Sequence, residues 1–435
     1  METSASKTIA IVGLNASGKT QFVERLRRET ASSRLRYIAF IDSYGAATDR
    51  QYYLQLRWNH HDIDEETPRV TDLLERSFML TGSDTSERRN MQNHLYELFH
   101  LKPLLDKYII FLSSGELRKF QMVKTLMAAP EILILDNPFI GLDAETRQQL
   151  SQVLYTLVNK EHLTLYLVLS RKAEVPAFVD ETIWITDQSE MNAPAPHLPE
   201  QKRQAIIQLP TKADDYQADI VVGMKDVSVS YGNHHILSRI NWNVRQGERW
   251  ALSGKNGSGK STLLSLINAD NPQAYACDIT LFGHQRGSGE TIWDIKRHIG
   301  YVSPEMHRSY QRNIPTLNII ASGLKDTIGL YIHVNEKEKE QCRWWMRIFG
   351  IEHLEDRPFL QLSSGEQRMV LLARAFVKDP ELIILDEPFH GLDDYNQQLA
   401  KDIICAFCER PNKTLILVTH YEAELPSCIT HYKRL

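Results

Sequence analysis

One pattern occurs twice in these 435 residues, and few folds accommodate it: a glycine-rich loop closed by Lys-Thr or Lys-Ser, then Leu-Ser-Ser-Gly-Glu, then an apolar run ending in aspartate. The first copy reads Gly13-Leu14-Asn15-Ala16-Ser17-Gly18-Lys19-Thr20, Leu112-Ser113-Ser114-Gly115-Glu116 and Ile132-Leu133-Ile134-Leu135-Asp136. The second reads Gly254-Lys255-Asn256-Gly257-Ser258-Gly259-Lys260-Ser261, Leu362-Ser363-Ser364-Gly365-Glu366 and Leu382-Ile383-Ile384-Leu385-Asp386. Ser113 and Ser363, Asp136 and Asp386, Gly141 and Gly391, and Ser170 and His420 each stand 250 residues apart, whereas Lys19 and Lys260 stand 241 apart. The 9-residue difference must lie between glycine loop and serine motif.

A usual domain of about 100–200 residues leaves room for two to four here, and two repeats fit that range. With 42% hydrophobic and 24% charged residues the chain has material for two cores. No apolar run is long enough to span a bilayer and no basic, then apolar, leader opens the chain, so neither a transmembrane segment nor a secretory signal is expected. A net charge of −5 with scattered Lys and Arg gives no strong nucleic-acid signal. Five cysteines without a framework spacing suit a reducing cytoplasm. Cys405 and Cys408 share one face of an amphipathic run, Gln398 to Glu409, and read as core packing rather than a metal or redox pair.

Along the chain, Thr8–Val12 reads as a strand feeding the first glycine loop, with a helix over Gln21–Glu29 behind it and a second strand over Leu35–Ile41. The polar, aromatic stretch Gln51–Leu105 reads as a helical subdomain, with a helix cap at Ser86. Glu131–Leu135, Leu163–Leu169 and Glu181–Ile185 alternate with helical stretches, the pattern of a parallel sheet with crossover helices. Residues 187–219 read as a linker, because Pro194, Pro196, Pro199 and Pro210 interrupt any coiled-coil spacer. The expected division is therefore a first domain over 1–186 and a second over 220–435. The second opens with strands absent from the first, Val227–Tyr231 and Ile240–Val244, ahead of Glu248–Ser253.

The glycine loops match G-x-x-x-x-G-K-[ST]. Glycines there let backbone N–H groups turn inward, and the helix behind aims its positive end at phosphates. Gly13, Asn15, Ser17 and Gly18, like Gly254, Asn256, Gly257, Ser258 and Gly259, would form the cradles; Lys19 and Lys260 would reach the β and γ phosphates, and Thr20 and Ser261 would supply hydroxyls to Mg²⁺. Asp136 and Asp386 end apolar strands beside these loops, where a carboxylate serves the same metal. Glu387, next to Asp386, is placed to deprotonate a water; Asn137, next to Asp136, can hydrogen-bond a water but cannot take its proton. The Ser-Ser-Gly-Glu motifs have a capping-box layout, and a helix start with a serine and a glycine is an anion site. With each phosphate already claimed within its own domain, Ser114 and Gly115, and Ser364 and Gly365, should serve a neighbouring nucleotide.

Together these motifs make both halves resemble the nucleotide-binding domains of ATP-binding-cassette ATPases. Leu-Ser-Ser-Gly-Glu resembles the family signature, and Gly141-Leu142-Asp143 and Gly391-Leu392-Asp393 resemble its D-loop. His420 falls at the family's switch histidine and Tyr231 where an aromatic stacks on adenine. More narrowly, Tyr275 to Gly329 is similar to tandem cassette ATPases, the ModF or photorepair proteins, associated by name with molybdenum transport. The resemblance implies an α/β fold of two P-loop cassettes, each a mostly parallel sheet with a helical subdomain, packed head-to-tail around two ATPs. It implies Mg²⁺-dependent ATP hydrolysis with Glu387 and His420 as the catalytic pair, and a cytoplasmic ATPase, peripheral on the inner membrane face where a permease is supplied in trans. A stand-alone ATPase acting on a ribosome or nucleic acid, and an ATP-sensing regulator, are the alternatives.

The first half departs from the pattern. Ser170 stands at the switch-histidine place, Asn137 at the catalytic glutamate, and no aromatic precedes the first loop at the spacing of Tyr231. Aligning Ile38–Ser43 with Ile299–Pro304 puts Ser43 and Pro304 at the family's Q-loop glutamine, and Glu305 one residue later.

Overall fold

Strands built wholly of Ile, Leu and Val are stable only between two covering layers, and that is how both repeats use theirs. The computed structural model describes residues 7–30, 34–39, 67–112, 114–139, 142, 144–161, 163–187, 195, 197–210, 219–231, 234–254, 257–310, 313–328, 334–419 and 421–435. They fall into two units, 7–187 and 195–435.

The first unit runs β1 (Thr8–Val12), α1 (Lys19–Thr30), β2 (Leu35–Ala39), α2 (Val70–Thr81), α3 (Ser86–Leu98), α4 (Ser114–Leu126), β3 (Ile132–Asp136), α5 (Ala144–Glu161), β4 (Thr164–Leu169) and β5 (Glu181–Trp184). Its five strands pair in the order β2-β3-β4-β1-β5, all parallel. Side chains alternate across a strand, so Leu133 and Leu135 enter the large core with Leu74, Phe78, Phe120 and Leu154, while Ile134 meets Ile11, Val23 and Val168 on the α1 side. Helix α3 is capped one residue earlier than the sequence suggested. Thr85, extended at φ −121° and ψ 154°, accepts from the Arg88 N–H, and Ser86 is already helical. Residues 51–66 of the expected helical subdomain lie outside the described residues.

The second unit runs α6 (Glu200–Ile207), β6 (Ile220–Tyr231), β7 (His234–Arg245), β8 (Arg249–Ser253), α7 (Lys260–Ile267), β9 (Asp278–Leu281), β10 (His284–Gln285), α8 (Ile292–Lys296), β11 (Ile299–Val302), α9 (Pro304–Ser309), α10 (Thr316–Ser322), α11 (Glu336–Phe349), α12 (Ser364–Phe376), β12 (Leu382–Asp386), α13 (Asp394–Cys408), β13 (Thr414–Val418) and β14 (His431–Arg434). Its parallel sheet, β11-β12-β13-β8-β14, repeats the first unit's order element for element. Ile383, Leu385, Leu415 and Leu417 face the core under α12 and α13; Leu382, Ile384, Ile416 and Val418 face α7 and an antiparallel sheet, β10-β9-β6-β7. The described residues of the first unit contain no such second sheet.

Strand register corrects the alignment made from sequence. Leu35 pairs with Ile132 and Ile299 with Leu382, so Leu35 corresponds to Ile299 and Tyr37 to Tyr301. Matching Ile38 to Ile299 is thus three residues out: at the register's offset Phe40, not Ser43, aligns with Pro304, and Phe40 and Ser43 lie outside the described residues. Short apolar runs align almost equally well at several offsets, whereas pairing with the Asp-ended strand admits one. Leu35 and Ile299 are 264 apart, against 241 for the two lysines and 250 for the serine motifs. The second unit therefore inserts residues before β11, where β9 and β10 form, and loses some after it.

The stretch read as a linker is partly bound to the second unit. Leu198 and Ile206 are buried in its core. The Leu198 N–H donates to Asp402 Oδ2 at 2.8 Å, and Arg410 Nη2 donates to the carbonyls of Leu209 and Pro210 at 3.4 and 3.3 Å. Among the described residues no helix is long and apolar enough to cross a membrane.

Candidate nucleotide sites

Each glycine loop joins a strand to a helix and wraps a lysine. Lys19 Nζ donates to the carbonyls of Gly13 and Leu14, both at 2.6 Å, and Lys260 Nζ to that of Gly254 at 2.7 Å. The loops need left-handed backbone, at Gly18 (φ 93°) and Gly259 (φ 90°), where a Cβ would be strained. At Gly13 and Gly254 a Cβ would lie 2.6 Å from Ser17 Oγ and Ser258 Oγ respectively. Those two hydroxyls are buried without a hydrogen-bond partner. Cradles with room for backbone only, an orphaned hydroxyl and a lysine folded onto the loop's own carbonyls fit a polyphosphate. Asn15 and Thr20 lie on the first loop and at the first turn of α1; in the second, Ser261 holds the place of Thr20 and Gly257 that of Ala16, while Asn256, the counterpart of Asn15, lies outside the described residues.

The two sites differ where strand meets metal ligand. In the first unit both oxygens of Asp136 are engaged, Oδ2 by the Tyr37 hydroxyl at 2.9 Å and Oδ1 by the Asn137 amide at 2.8 Å. Ser170 Oγ donates to Asn137 Oδ1 at 3.4 Å, so the residues replacing the switch histidine and the catalytic glutamate touch each other. Burial pushes the Asp136 carboxyl above its ordinary range, while the Tyr37 hydrogen bond and the charge of Lys19 pull it down. Burial and the Asp136 charge raise the Tyr37 phenol.

In the second unit Asp386 is buried and Glu387 follows it. Asn137 and Glu387 share a left-handed backbone, φ 53° and 48°, each held by its N–H on a strand carbonyl, Val168 and Val418, at 2.9 Å. Such a conformation costs a non-glycine residue about 1–3 kcal/mol and turns both side chains off the strand in the same direction. His390 Nε2 approaches Glu387 Oε2 to 2.9 Å, at an angle that is not that of a directed hydrogen bond.

The signature of the second unit is a complete capping box. Ser363 Oγ accepts from the Glu366 N–H at 3.3 Å, and the Ser363 N–H donates to Glu366 Oε2 at 2.8 Å. Ser364 and Gly365 form the first turn of α12 behind it. In the first unit α4 starts at Ser114, with Gly115 next; Ser113 lies outside the described residues, and Glu116 pairs with Lys107 at 2.8 Å. Tyr231 closes β6 and its hydroxyl accepts from Asn271 Nδ2 at 2.9 Å, which fixes the ring beside the second loop's unit core. His420 lies outside the described residues.

Cys408 is buried in the core and Cys405 is half-buried against Ser427. Sequence reading missed Tyr37 and His390. The signal for Tyr37 was available in its match to Tyr301, but only the strand register exposes it.

Comparison with known proteins agrees with this geometry. A family model described as ABC transporter matches residues 1–140 and 237–390. The chain is 36% identical to the ABC transporter ATP-binding protein ModF of Escherichia coli K12, over 98% of this chain and 91% of that one. It is 28% identical to an ABC transporter ATP-binding protein of Schizosaccharomyces pombe, over 97% and 90%. Among solved structures, a model of ribosome-bound archaeal Pelota and ABCE1 aligns with a TM-score of 0.56 at 17% identity, covering 95% of this chain and 70% of that one, a likeness of fold. A family model that spans most of both cassettes, and a relative matched almost end to end, place this chain in the ABC transporter family, as a tandem ABC ATPase that binds ATP and uses Mg²⁺ to hydrolyse it.

Proposed function

We propose that the chain works as two cassettes, 1–186 and 220–435 joined through 187–219, folded head-to-tail so that each phosphate loop is completed by the other half's signature. The first loop would then meet Ser364 and Gly365, and the second Ser114 and Gly115. The observation that carries the division of labour is the contrast between Asn137, tied to Asp136 and Ser170, and Glu387, a carboxylate at the same backbone position. The second site is the hydrolytic one, and the first holds nucleotide.

In each site the loop N–H groups and the lysine bind phosphate, the lysine exchanging its carbonyl partners for phosphate oxygens. Mg²⁺, when bound, supplies positive charge to the β and γ phosphates, and Thr20 with Asp136, or Ser261 with Asp386, would hold it. Glu387 accepts the proton of the attacking water and His420 orients the γ phosphate. Tyr231 gives the adenine a stacking surface. At the first site Asn137 and Ser170 cannot take a proton from water at neutral pH.

The mechanical output is closure on ATP and opening after hydrolysis. Near full-length likeness to an ABC transporter ATP-binding protein, with the narrower resemblance to molybdenum-associated tandem ATPases, favours a chain that energises a permease supplied in trans, with a molybdate-type oxyanion as cargo, on the cytoplasmic face of the membrane. A second reading, a stand-alone ATPase acting on a ribosome or nucleic acid, draws support from the residues at the Q-loop places, Ser43 and Pro304 by sequence and Phe40 by strand register, none of which is glutamine. Affinity purification from the native cell decides between them. A co-purifying permease, with ATPase activity raised by its membrane fraction, is expected; ribosomes in its place, with turnover indifferent to membranes, would overturn the transport reading.

A further inference from the structure

The same groove is filled in the second unit and open in the first. From α3 onward the two units match at an offset of 250 residues. Left-handed His100 (φ 49°) follows α3 as Gly350 (φ 69°) follows α11, α4 and α12 start at Ser114 and Ser364, and α5 and α13 at Ala144 and Asp394. In the second unit the trough between the end of α11 and the face of α13 holds α6 and the residues leading into it. Leu198 and Ile206 are buried in one core with Phe349, Ala400 and Ile403. Asp402 Oδ2 accepts from the Leu198 N–H at 2.8 Å and meets His197 Nδ1 at 3.0 Å. Lys202 Nζ donates to the Arg347 carbonyl, and Arg203 pairs with Glu409.

At the corresponding place the first unit has a cavity of about 290 Å³. Phe99, Leu150 and Val153, the counterparts of Phe349, Ala400 and Ile403, line it together with Leu98 and Leu142. Apolar surface of this kind, rimmed by polar groups, marks a place where another molecule seats. The likeness to the filled groove is one of shape, because the charges around it have changed. Gln152 stands where the second unit has Asp402, and Asn159 where it has Glu409. Lys119, half-buried on the cavity wall, replaces the buried Met369. Glu97, at the place of Arg347, is paired with Lys102 at 3.0 Å. The two carboxylates that receive a basic helix in the second unit are therefore missing from the first, and an ammonium takes the place of a thioether.

We propose that this cavity docks an amphipathic helix of a partner protein, with Leu or Ile side chains spaced like Leu198 and Ile206 and with carboxylates on the flank that faces Lys119. The seated α6 argues for a helix as occupant, since an apolar trough between two helices takes the apolar face of a third. The exchange of charges argues against α6 of a second copy, whose Lys202 and Arg203 would face Lys119 with neither Asp402 nor Glu409 to receive them. The proposal concerns the first unit alone and does not depend on which site hydrolyses ATP.

The test uses the full chain and two fluorescein-labelled peptides, residues 197–210 as they stand and the same segment carrying Lys202→Glu and Arg203→Glu. By fluorescence anisotropy the acidic peptide should bind about 2- to 10-fold more tightly than the natural one, the range for half-exposed ion pairs set against repulsion. Val153→Arg, which puts a charge into the apolar lining, should abolish binding. Lys119→Glu should reverse the preference and make the natural peptide the tighter ligand, an outcome that misfolding cannot imitate. No saturable binding of the acidic peptide, equal affinity for the two, or binding that survives Val153→Arg would overturn the proposal. A dimer in sedimentation velocity that Val153→Arg dissolves would also overturn it, by giving the groove to a second copy.

Discussion

Tyr37, on β2, donates its hydroxyl to Asp136 at the end of β3, 2.9 Å away. The bond ties the carboxylate expected to serve Mg²⁺ to the neighbouring strand. Arg27, on α1, lies over the same ring at 4.9 Å, so α1 and both strands meet at one phenol.

Removing that hydroxyl should weaken metal binding at the first site. Tyr37 pulls the Asp136 carboxyl down against the upward push of burial, so Tyr37→Phe should raise it further and release the rotamer. Loss of such a support to a metal ligand typically costs 10–100-fold in affinity. Mn²⁺ binding in the presence of ATP, followed by EPR in a Lys260→Ala background that isolates the first site, should weaken by about 10-fold. As pH falls, Tyr37→Phe should lose the metal at a higher pH than the parent. Unchanged Mn²⁺ affinity would show that the phenol serves the strands alone.

The inequality of the sites predicts unequal mutants. Positioned general-base action is worth about 10²–10⁴ in rate, so Glu387→Gln should abolish steady-state ATPase activity and Asn137→Ala should leave it within a few fold. Asn137→Glu should add little, because Ser170 is no switch histidine. Comparable losses for Glu387→Gln and Asn137→Ala would mean that the sites share the work.

Closure should need no second chain, since one polypeptide carries both loops and both signatures. Small-angle scattering of Glu387→Gln with ATP and Mg²⁺ should show a monomer that becomes more compact than its nucleotide-free form. A two-chain species as the ATP-bound form would exclude the intramolecular sandwich.

Arg410 should matter to stability more than its position after the last turn of α13 suggests. Its side chain is 1% exposed and is paired with Asp379, which also meets Lys413 at 3.2 Å, and its guanidinium holds the Leu209 and Pro210 carbonyls. Truncating one partner of a buried pair typically costs about 3–5 kcal/mol. Arg410→Ala should lower the urea midpoint accordingly and expose the bonds flanking α6 to limited proteolysis. A shift under about 1 kcal/mol would place the pair among surface bridges in effect.

What the sequence determined by itself was whatever depends on local chemistry or repetition. Glycines at Gly18 and Gly259, lysines behind them, apolar runs ending in Asp136 and Asp386, and serines three residues before Glu116 and Glu366 announce two phosphate loops, two parallel sheets and two signature helices, because each pattern acts through its own backbone. The family resemblance followed from those motifs, and family membership was then shown by the comparisons. Tertiary structure alone decided the rest. The register of β2 and β11 depends on pairing with another strand, so the match of Tyr37 to Tyr301 could not be read from runs of four or five residues. The docking of α6 depends on Asp402 and Arg410, about 200 residues away in sequence. The differing partners of Asn137 and Glu387 were decided by which side chains the strands and turns bring within 3 Å, a distance that spacing along the chain does not encode.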